Sequence, residues 1–199
     1  MNILILILSY LIGSIPFSYI LPKVFKNKNT LKEGTKNPGG TNAIYTSGYF
    51  IGILSMVLDV FKGIIVFLIA DYFLESLFFI NLALILAVLG HNWSLFLKFK
   101  GGKGIAVNWG IIFADSVIMG ITFLILSTFY TLLTKYLSIG VLLSILSIIV
   151  LKIFMGSNEY LFAYIVIYGV NLFKHRINFI RISQGKEVKI FQGLKEAGN

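Results

Sequence analysis

The sequence contains no cysteine and little negative charge, with 8 acidic residues against 17 lysines and arginines in 199 positions. Without cysteine the chain cannot form disulfides, thiol nucleophiles or thiolate metal sites. It has only 2 histidines, and no cluster of histidines and carboxylates has the spacing of a metal site. We therefore expect a protein that needs neither a metal ion nor a cofactor.

Polar surface is also scarce, since 57% of the residues are hydrophobic and the mean hydropathy is +0.89. Such a chain cannot cover a soluble globule of this length with polar side chains. The net charge of +9 would suggest nucleic acid in a soluble protein, but here the basic residues cluster in short loops beside apolar segments. The composition thus predicts an all-α, polytopic membrane bundle, with residues 1–199 as one domain and no nucleic-acid partner.

The positions of the basic residues predict the topology, because short cytoplasmic loops are enriched in lysine and arginine. Basic residues lie in segments 26–36 and 98–103, at Lys135, and from Lys174 onward to Lys195. Seven passes place all of these on the cytoplasmic side, with the N-terminus outside and the C-terminus in the cytoplasm. The predicted passes are 2–25, 48–70, 77–97, 105–116, 118–134, 136–154 and 159–173. The first apolar segment lacks the basic start and cleavage site of a signal peptide, so we expect a retained span.

Residues 104–136 are the ambiguous part of this topology. The segment is long for one span of about 20 residues and short for two. Counting it as one span would place the basic tail outside, against the charge rule. We therefore predict two short helices there.

Two glycine-rich segments interrupt the apolar sequence. The first polar loop, residues 34–42, lies between the first two spans, and the glycine–lysine turn, residues 101–104, follows the third. Glycines let backbone amides converge on an anion, and Lys103 adds a positive charge. The turn is not a nucleotide-binding P-loop, because Leu97 occupies the first glycine position and Gly104 follows the lysine. Together the two segments predict an anion site at one membrane face.

Polar residues within or near the spans allow two interpretations each. Asp59 and Lys62, at spacing i, i+3, share a helix face, which favours a structural ion pair over direct chemistry. His91 lies close to other polar groups at the end of the third span, which favours a role in a site over a role as an interfacial anchor. For its neighbour Trp93 the two interpretations are equally favoured, because aromatic residues are common at membrane interfaces. A face formed by His175, Asn178 and Arg181 suits either a phosphate group or an anionic lipid surface.

Taken together and in order, these segments resemble the acyl-phosphate:glycerol-3-phosphate acyltransferases of bacterial membranes, the PlsY family. Each motif alone is weak, but the ordered combination is specific and spans nearly the whole chain. The matching positions are residues 13–16; Asn37, Gly39, Thr41 and Asn42; residues 59–63 as D-x-x-K-G; His91, Phe96, Phe99 and residues 101–104; and His175, Asn178, Arg181, Gly185 and Glu187.

The resemblance implies a seven-pass enzyme of the bacterial cell (inner) membrane with its active site near the cytoplasmic face. Its substrates would be a fatty acyl phosphate and glycerol 3-phosphate, and its products lysophosphatidic acid and phosphate. The expected catalytic residues are Lys103, His175 and Asn178. The expected substrate-binding residues are Thr35, Asn37, Gly39, Gly40, Thr41, Asn42, His91, Gly101, Gly102 and Arg181. The proton of the acceptor hydroxyl would pass to the donor phosphate in preference to His175.

One departure from the family pattern bears on the acceptor. Tyr45 stands where the first motif normally ends in an arginine implicated in phosphate binding, and tyrosine carries no fixed positive charge. Two alternatives therefore stay open. Beside the acylation of glycerol 3-phosphate, the chain could be a divergent relative that uses another phosphorylated acceptor, or a non-enzymatic protein that transports lipid or anions.

Overall fold

The structure is a computed structural model, and it describes residues 1–190. These residues form ten α-helices and one short 3-10 helix, with no β-strand. The predicted contribution of Lys195 to the basic tail lies outside the described residues. The helices are α1 Asn2–Ser14, α2 Phe17–Lys26, α3 Gly40–Ser47, α4 Tyr49–Phe73, α5 Leu77–Asn92, α6 Ile105–Asp115, α7 Val117–Thr134, α8 Leu137–Phe154, α9 Leu161–Lys174 and α10 Arg176–Ser183.

The outer surface of the bundle is apolar, as a lipid environment requires. Large hydrophobic side chains stand exposed on several helices, among them Phe50, Ile118 and Phe129. Four segments in residues 1–190 are long and apolar enough to cross a membrane: the run Asn2–Lys26, α4, α7 and α8. Three shorter apolar helices, α5, α6 and α9, complete the bundle. The prediction of an all-α, polytopic integral membrane protein is confirmed.

The first predicted span, 2–25, is broken rather than continuous. Helix α1 ends at Ser14 and α2 begins after Pro16, whose ring removes a backbone donor and interrupts helical hydrogen bonding. The break leaves backbone carbonyls to be satisfied from elsewhere. Lys62 Nζ in α4 donates to the carbonyls of Gly13 at 2.9 Å and Ile15 at 2.7 Å.

The third predicted span, 77–97, is too long, because α5 ends at Asn92. A tight turn follows, in which Ser94 and Lys100 pair as an isolated antiparallel bridge around the 3-10 helix Leu95–Leu97. Lys98 and Phe99 adopt left-handed φ angles of 53° and 60°. The turn at residues 93–100 leads directly into the glycine–lysine turn at residues 101–104.

Residues 104–136 form two helices, as the sequence predicts. Helix α6 has 11 residues, so it is about 16 Å long and far shorter than a membrane core of about 30 Å. Ser116 is extended between α6 and α7, and its hydroxyl accepts a hydrogen bond from Met119 N at 3.4 Å. Helix α6 crosses α4 closely at Gly63, where any side chain would collide with the Val107 carbonyl.

The chain direction sorts the polar groups between the two ends of the bundle. Helices α4, α6 and α8 end where α5, α7 and α9 begin. At that end Lys152 Nζ pairs with Asp115 Oδ2 at 2.6 Å, and Tyr164 donates to the same oxygen at 2.8 Å. We call this the far end. The opposite end, where α5 and α9 finish, carries both glycine-rich segments and the basic tail, and we call it the loop end.

Candidate anion-binding site at the loop end

The first polar loop is held in shape by the side chain of Asn42. Its amide nitrogen donates to the carbonyls of Thr30 at 2.9 Å and Glu33 at 3.1 Å. Its amide oxygen accepts from the backbone N–H of Thr35 at 2.7 Å. Both donors and the carbonyl are thus used inside the loop, and Asn42 is 1% exposed. In this structure Asn42 shapes the loop, which differs from the direct substrate contact that the sequence suggested.

Helix α3 begins at Gly40, so the last residues of the first polar loop form its first turn. Gly39 is extended, with φ −122°, and the first helical hydrogen bond runs from Ala43 N to Gly39 O at 3.0 Å. The N–H groups of Gly40 and Thr41 therefore lie at a helix N-terminus, where backbone donors and the helix dipole favour an anion. Thr35, Asn37 and Thr41 are partly exposed.

A buried charge pair lies beneath this loop. Asp59 Oδ1 is 2.9 Å from Lys62 Nζ, and the two side chains are 1% and 3% exposed. Ser18 donates its hydroxyl proton to Asp59 Oδ2 at 2.9 Å. Thr30 in turn donates to the Ser18 carbonyl at 3.1 Å. The pair is therefore connected to the first polar loop through Ser18 and Thr30, whose carbonyl accepts from Asn42.

The glycine–lysine turn packs on His91 at the end of α5. Gly102 N donates to the His91 carbonyl at 3.1 Å, so this amide is not free to bind an anion. Gly104 has a left-handed φ of 79° and starts α6. The turn therefore presents Lys103 and the N-terminus of α6, whereas the sequence suggested that the backbone amides of its glycines converge on the anion.

Lys103 is held by the tail. Its Nζ donates to Asn178 Oδ1 at 2.6 Å, and Asn178 Nδ2 donates to Glu187. Burial lowers the pKa of Lys103 to about 8, with Arg181 and Lys174 acting in the same direction and Glu187 opposing them. Arg181 is exposed near this cluster. Within residues 1–190, the result is a group of cations whose charge Glu187 partly compensates.

His175, the residue after α9, is buried beside Lys103. Its Nδ1 is 2.8 Å from the Asn171 carbonyl, which can only accept, so Nδ1 carries a proton and Nε2 has the free lone pair. Burial and the neighbouring Lys103 lower the pKa of His175 to about 4. At neutral pH the ring is therefore uncharged, a hydrogen-bond acceptor but a weak base.

Three contributors escaped the sequence analysis as site residues. Ser18 binds Asp59, Glu187 binds Asn178, and Lys174 donates to the Asn92 carbonyl at 2.7 Å while lying 4.7 Å above the Trp93 ring. Glu187 had a signal, because it belongs to the last matching motif. Lys174 was predicted only as the start of the basic tail, and Ser18 had no signal, since each acts through a residue distant in sequence. Among residues 1–190, no group of three histidines or carboxylates is placed to hold a metal ion.

Known proteins with this sequence pattern are acyltransferases. Residues 3–185 match the family described as glycerol-3-phosphate acyltransferase. A glycerol-3-phosphate acyltransferase of Thermotoga petrophila is 39% identical over 92% of this chain and 94% of its own. The enzyme of the same name from Wolbachia pipientis is 38% identical over 94% and 97%.

Solved structures agree with the sequence matches. PlsY, an integral membrane glycerol 3-phosphate acyltransferase, in its glycerol 3-phosphate form matches with a TM-score of 0.89 and 31% identity, covering 95% of each chain. Its lysophosphatidic acid form matches with a TM-score of 0.87 and 30% identity, covering 97% of this chain and 98% of that one.

Proposed function

Because the chain is a membrane enzyme of the glycerol-3-phosphate acyltransferase family, we propose that it acylates glycerol 3-phosphate with a fatty acyl phosphate. The acceptor hydroxyl oxygen attacks the acyl carbon, and the bond from that carbon to the phosphate oxygen breaks. Lysophosphatidic acid and inorganic phosphate leave. The related PlsY structures hold glycerol 3-phosphate and lysophosphatidic acid, which supports this acceptor and this product.

The observation that carries the proposal is the pairing of Lys103 with an uncharged partner. Asn178 Oδ1 holds the ammonium at 2.6 Å without neutralising it, so the charge stays available to a phosphate group. An acyl phosphate is a mixed anhydride and arrives activated, so no covalent enzyme intermediate is needed. Positioning and charge stabilisation can supply the catalysis, each contributing several kcal/mol.

We assign the first polar loop to the donor phosphate or the developing oxyanion. Thr35, Asn37, Gly39, Gly40 and Thr41 provide it with side-chain groups and the free amides at the start of α3. Lys103, Asn178 and Arg181 bind the substrate phosphates collectively, and the N-terminus of α6 supports them.

The proton of the acceptor hydroxyl passes to the donor phosphate. The lowered pKa of His175, about 4, makes it a poor general base at neutral pH. The departing phosphate gains negative charge as the bond breaks and becomes more basic. His175 Nε2 accepts a hydrogen bond from the second, non-reacting hydroxyl of glycerol 3-phosphate and so orients the acceptor, while the proton of the attacking hydroxyl faces the donor phosphate.

Tyr45 favours a second candidate, the use of another phosphorylated acceptor. It lies in α3 where the resembled family has an arginine, so one cation fewer faces the acceptor. Competition between glycerol 3-phosphate and other phosphorylated alcohols distinguishes the two candidates. Whichever acceptor is used, the reaction takes place at the cytoplasmic face of a bacterial cell membrane, with the N-terminus outside.

The direct test uses purified protein in lipid with a long-chain acyl phosphate and glycerol 3-phosphate. Phosphate and lysophosphatidic acid should appear in equal amounts. A folded Lys103→Ala variant should lose about 100-fold in kcat/KM, while Asp115→Asn at the far end should keep its KM. Phosphate release without the lipid product, or with equal rates in Lys103→Ala, would contradict the proposal.

A further inference from the structure

His91 lies buried between the charge pair and the glycine–lysine turn. Its side chain is 7% exposed. Nδ1 is 3.3 Å from Lys62 Nζ. On the other edge of the ring, a side-chain carbon at position 102 would collide with Nε2. Both ring nitrogens thus face protein groups, which does not fit the substrate contact that the sequence suggested for this residue.

The surroundings of Lys62 determine the protonation state of the ring. An ammonium group has three protons and no lone pair. Lys62 makes three hydrogen bonds, to the Gly13 carbonyl, the Ile15 carbonyl and His91 Nδ1. It also forms an ion pair with Asp59 Oδ1 at 2.9 Å, and none of these contacts lets the ammonium accept a proton from the ring. Nδ1 must therefore accept, and the proton of a neutral ring sits on Nε2.

The alternative tautomer has no suitable partner. A proton on Nδ1 would face the ammonium of Lys62, and Asp59 Oδ1 is 3.8 Å away, beyond hydrogen-bond distance. Ser18 keeps the carboxylate turned toward Lys62 by donating to its other oxygen at 2.9 Å. The order Ser18, Asp59, Lys62, His91 is thus a continuous chain of polar contacts that ends at the turn.

The turn rests on His91 in two ways. The His91 carbonyl accepts from Gly102 N at 3.1 Å, and the imidazole fills the space beside the Gly102 α-carbon. We propose that His91 is a positioning residue: Lys62 fixes its tautomer and orientation, and the ring and carbonyl together hold Gly102 so that Lys103 points at the substrate phosphate. The inference rests on the proposed phosphate-binding role of Lys103.

A pair of glycine substitutions tests the packing half of the proposal. Gly102→Ala should raise the KM for glycerol 3-phosphate about tenfold with a smaller change in kcat, because the new methyl group displaces the turn. His91→Asn has a shorter side chain that keeps an acceptor for Lys62 and vacates the space of Nε2. In that background, adding Gly102→Ala should cost little in KM or melting temperature.

Gly101→Ala is the matched control. Its new carbon would meet the backbone carbonyl of His91 and the backbone of Asn92, which no side-chain change removes. His91→Asn should therefore fail to relieve Gly101→Ala. Strictly additive effects of His91→Asn and Gly102→Ala, in both KM and melting temperature, would overturn the proposal.

The tautomer is tested without any substrate. The chain has only 2 histidines, so a histidine-labelled His175→Gln sample gives the two ring-nitrogen signals of a single imidazole by nitrogen NMR. We expect a neutral ring protonated at Nε2, and a changed signal in the same sample with Lys62→Met. A ring protonated at Nδ1 would overturn the proposal.

These readouts separate the inference from the proposed function. The melting-temperature coupling and the tautomer require no catalysis, so a protein inactive with acyl phosphate can still support the packing of His91 under the turn. An active protein that shows neither the melting-temperature coupling nor the Nε2-protonated ring would contradict the positioning role of His91 but not the proposed function.

Discussion

The ammonium of Lys103 lies 2.6 Å from Asn178 Oδ1, a hydrogen bond between residues 75 positions apart. A carboxamide oxygen fixes the cation without cancelling its charge, unlike the carboxylates that face Lys62 and Lys152. Glu187 is one step further away and binds the amide nitrogen of Asn178. Among these three lysines, Lys103 is therefore the one held by a neutral group, which fits the phosphate-binding role proposed for it.

The first prediction concerns pH. The pKa of Lys103 is lowered to about 8, so the free enzyme loses this charge above pH 8 and kcat/KM for glycerol 3-phosphate should fall there. The acceptor phosphate is already doubly ionised at that pH, since its second pKa is about 6. A bound phosphate stabilises the ammonium, so kcat alone should fall only at higher pH.

Lys103→Arg is the control, because a guanidinium stays charged throughout this range. It should bind less well but show no fall in kcat/KM between pH 8 and 9. The stability of the wild-type fold should change with pH in the opposite direction. Between pH 8 and 10.5, the pKa of an ordinary lysine, the unfolded chain binds more protons than the folded one, so the melting temperature should rise with pH. A flat wild-type kcat/KM profile up to pH 9.5 would contradict the role of Lys103.

The second prediction separates a histidine base from a phosphate base. His175→Gln keeps a polar group near the Nε2 position but cannot take up a proton. We expect single-turnover acyl transfer within about tenfold of wild type, because the donor phosphate takes the proton and remains in place. Loss of a general base would instead lower the rate about 100-fold or more. Abolished transfer with intact glycerol 3-phosphate binding would identify His175 as the base.

The third prediction compares two buried charge pairs. Asp59→Asn leaves Lys62 without its counter-charge and should cost about 3 kcal/mol of stability; it should also raise KM, because Lys62 supports His91. Asp115→Asn strips Lys152 of its partner at the far end, where the pair is 2.6 Å apart. It should lower the melting temperature without changing KM. Equal effects on KM would mean that both act only through global stability.

The fourth prediction concerns orientation in the membrane. The chain has no cysteine, so single cysteines report topology without background. Lys32→Cys and Glu75→Cys place exposed thiols at the loop end and the far end. In intact cells an impermeant maleimide should label only Glu75→Cys, and Lys32→Cys should react only after lysis. The reverse pattern would place the site on the outer face.

The predicted helices agree with the structure where hydrophobicity controls them. The boundaries 105–116, 118–134 and 136–154 fall within two residues of α6, α7 and α8, because the polar residues Asp115, Ser116 and Lys135 interrupt the apolar sequence there. The predicted span 77–97 overran α5 by five residues. Several residues beyond Asn92 are apolar too, but they form a turn closed by Ser94 and Lys100. Hydrophobic periodicity does not predict such a pairing.

The site residues divide similarly. Spacing predicted that Asp59 and Lys62 share a helix face, because i, i+3 neighbours on a helix are adjacent whatever surrounds them. Spacing did not predict the partners of Asn42 and His91, which the motifs suggested as substrate ligands. The structure commits Asn42 to Thr30, Glu33 and Thr35, and His91 to Lys62 and Gly102.

By itself the sequence determined the membrane class, the order of the main apolar helices, and the kinds of residues at the two glycine-rich segments, because these depend on composition and local periodicity. The break between α1 and α2 and the short helices α3 and α10 lay outside its predictions. Only the tertiary structure decided which polar groups meet. Ser18 with Asp59, Lys62 with His91, and Lys103 with Asn178 are brought together across 41, 29 and 75 positions. The reason is physical: a buried polar atom must find a partner among the groups that packing brings near it, and packing is a property of the whole bundle.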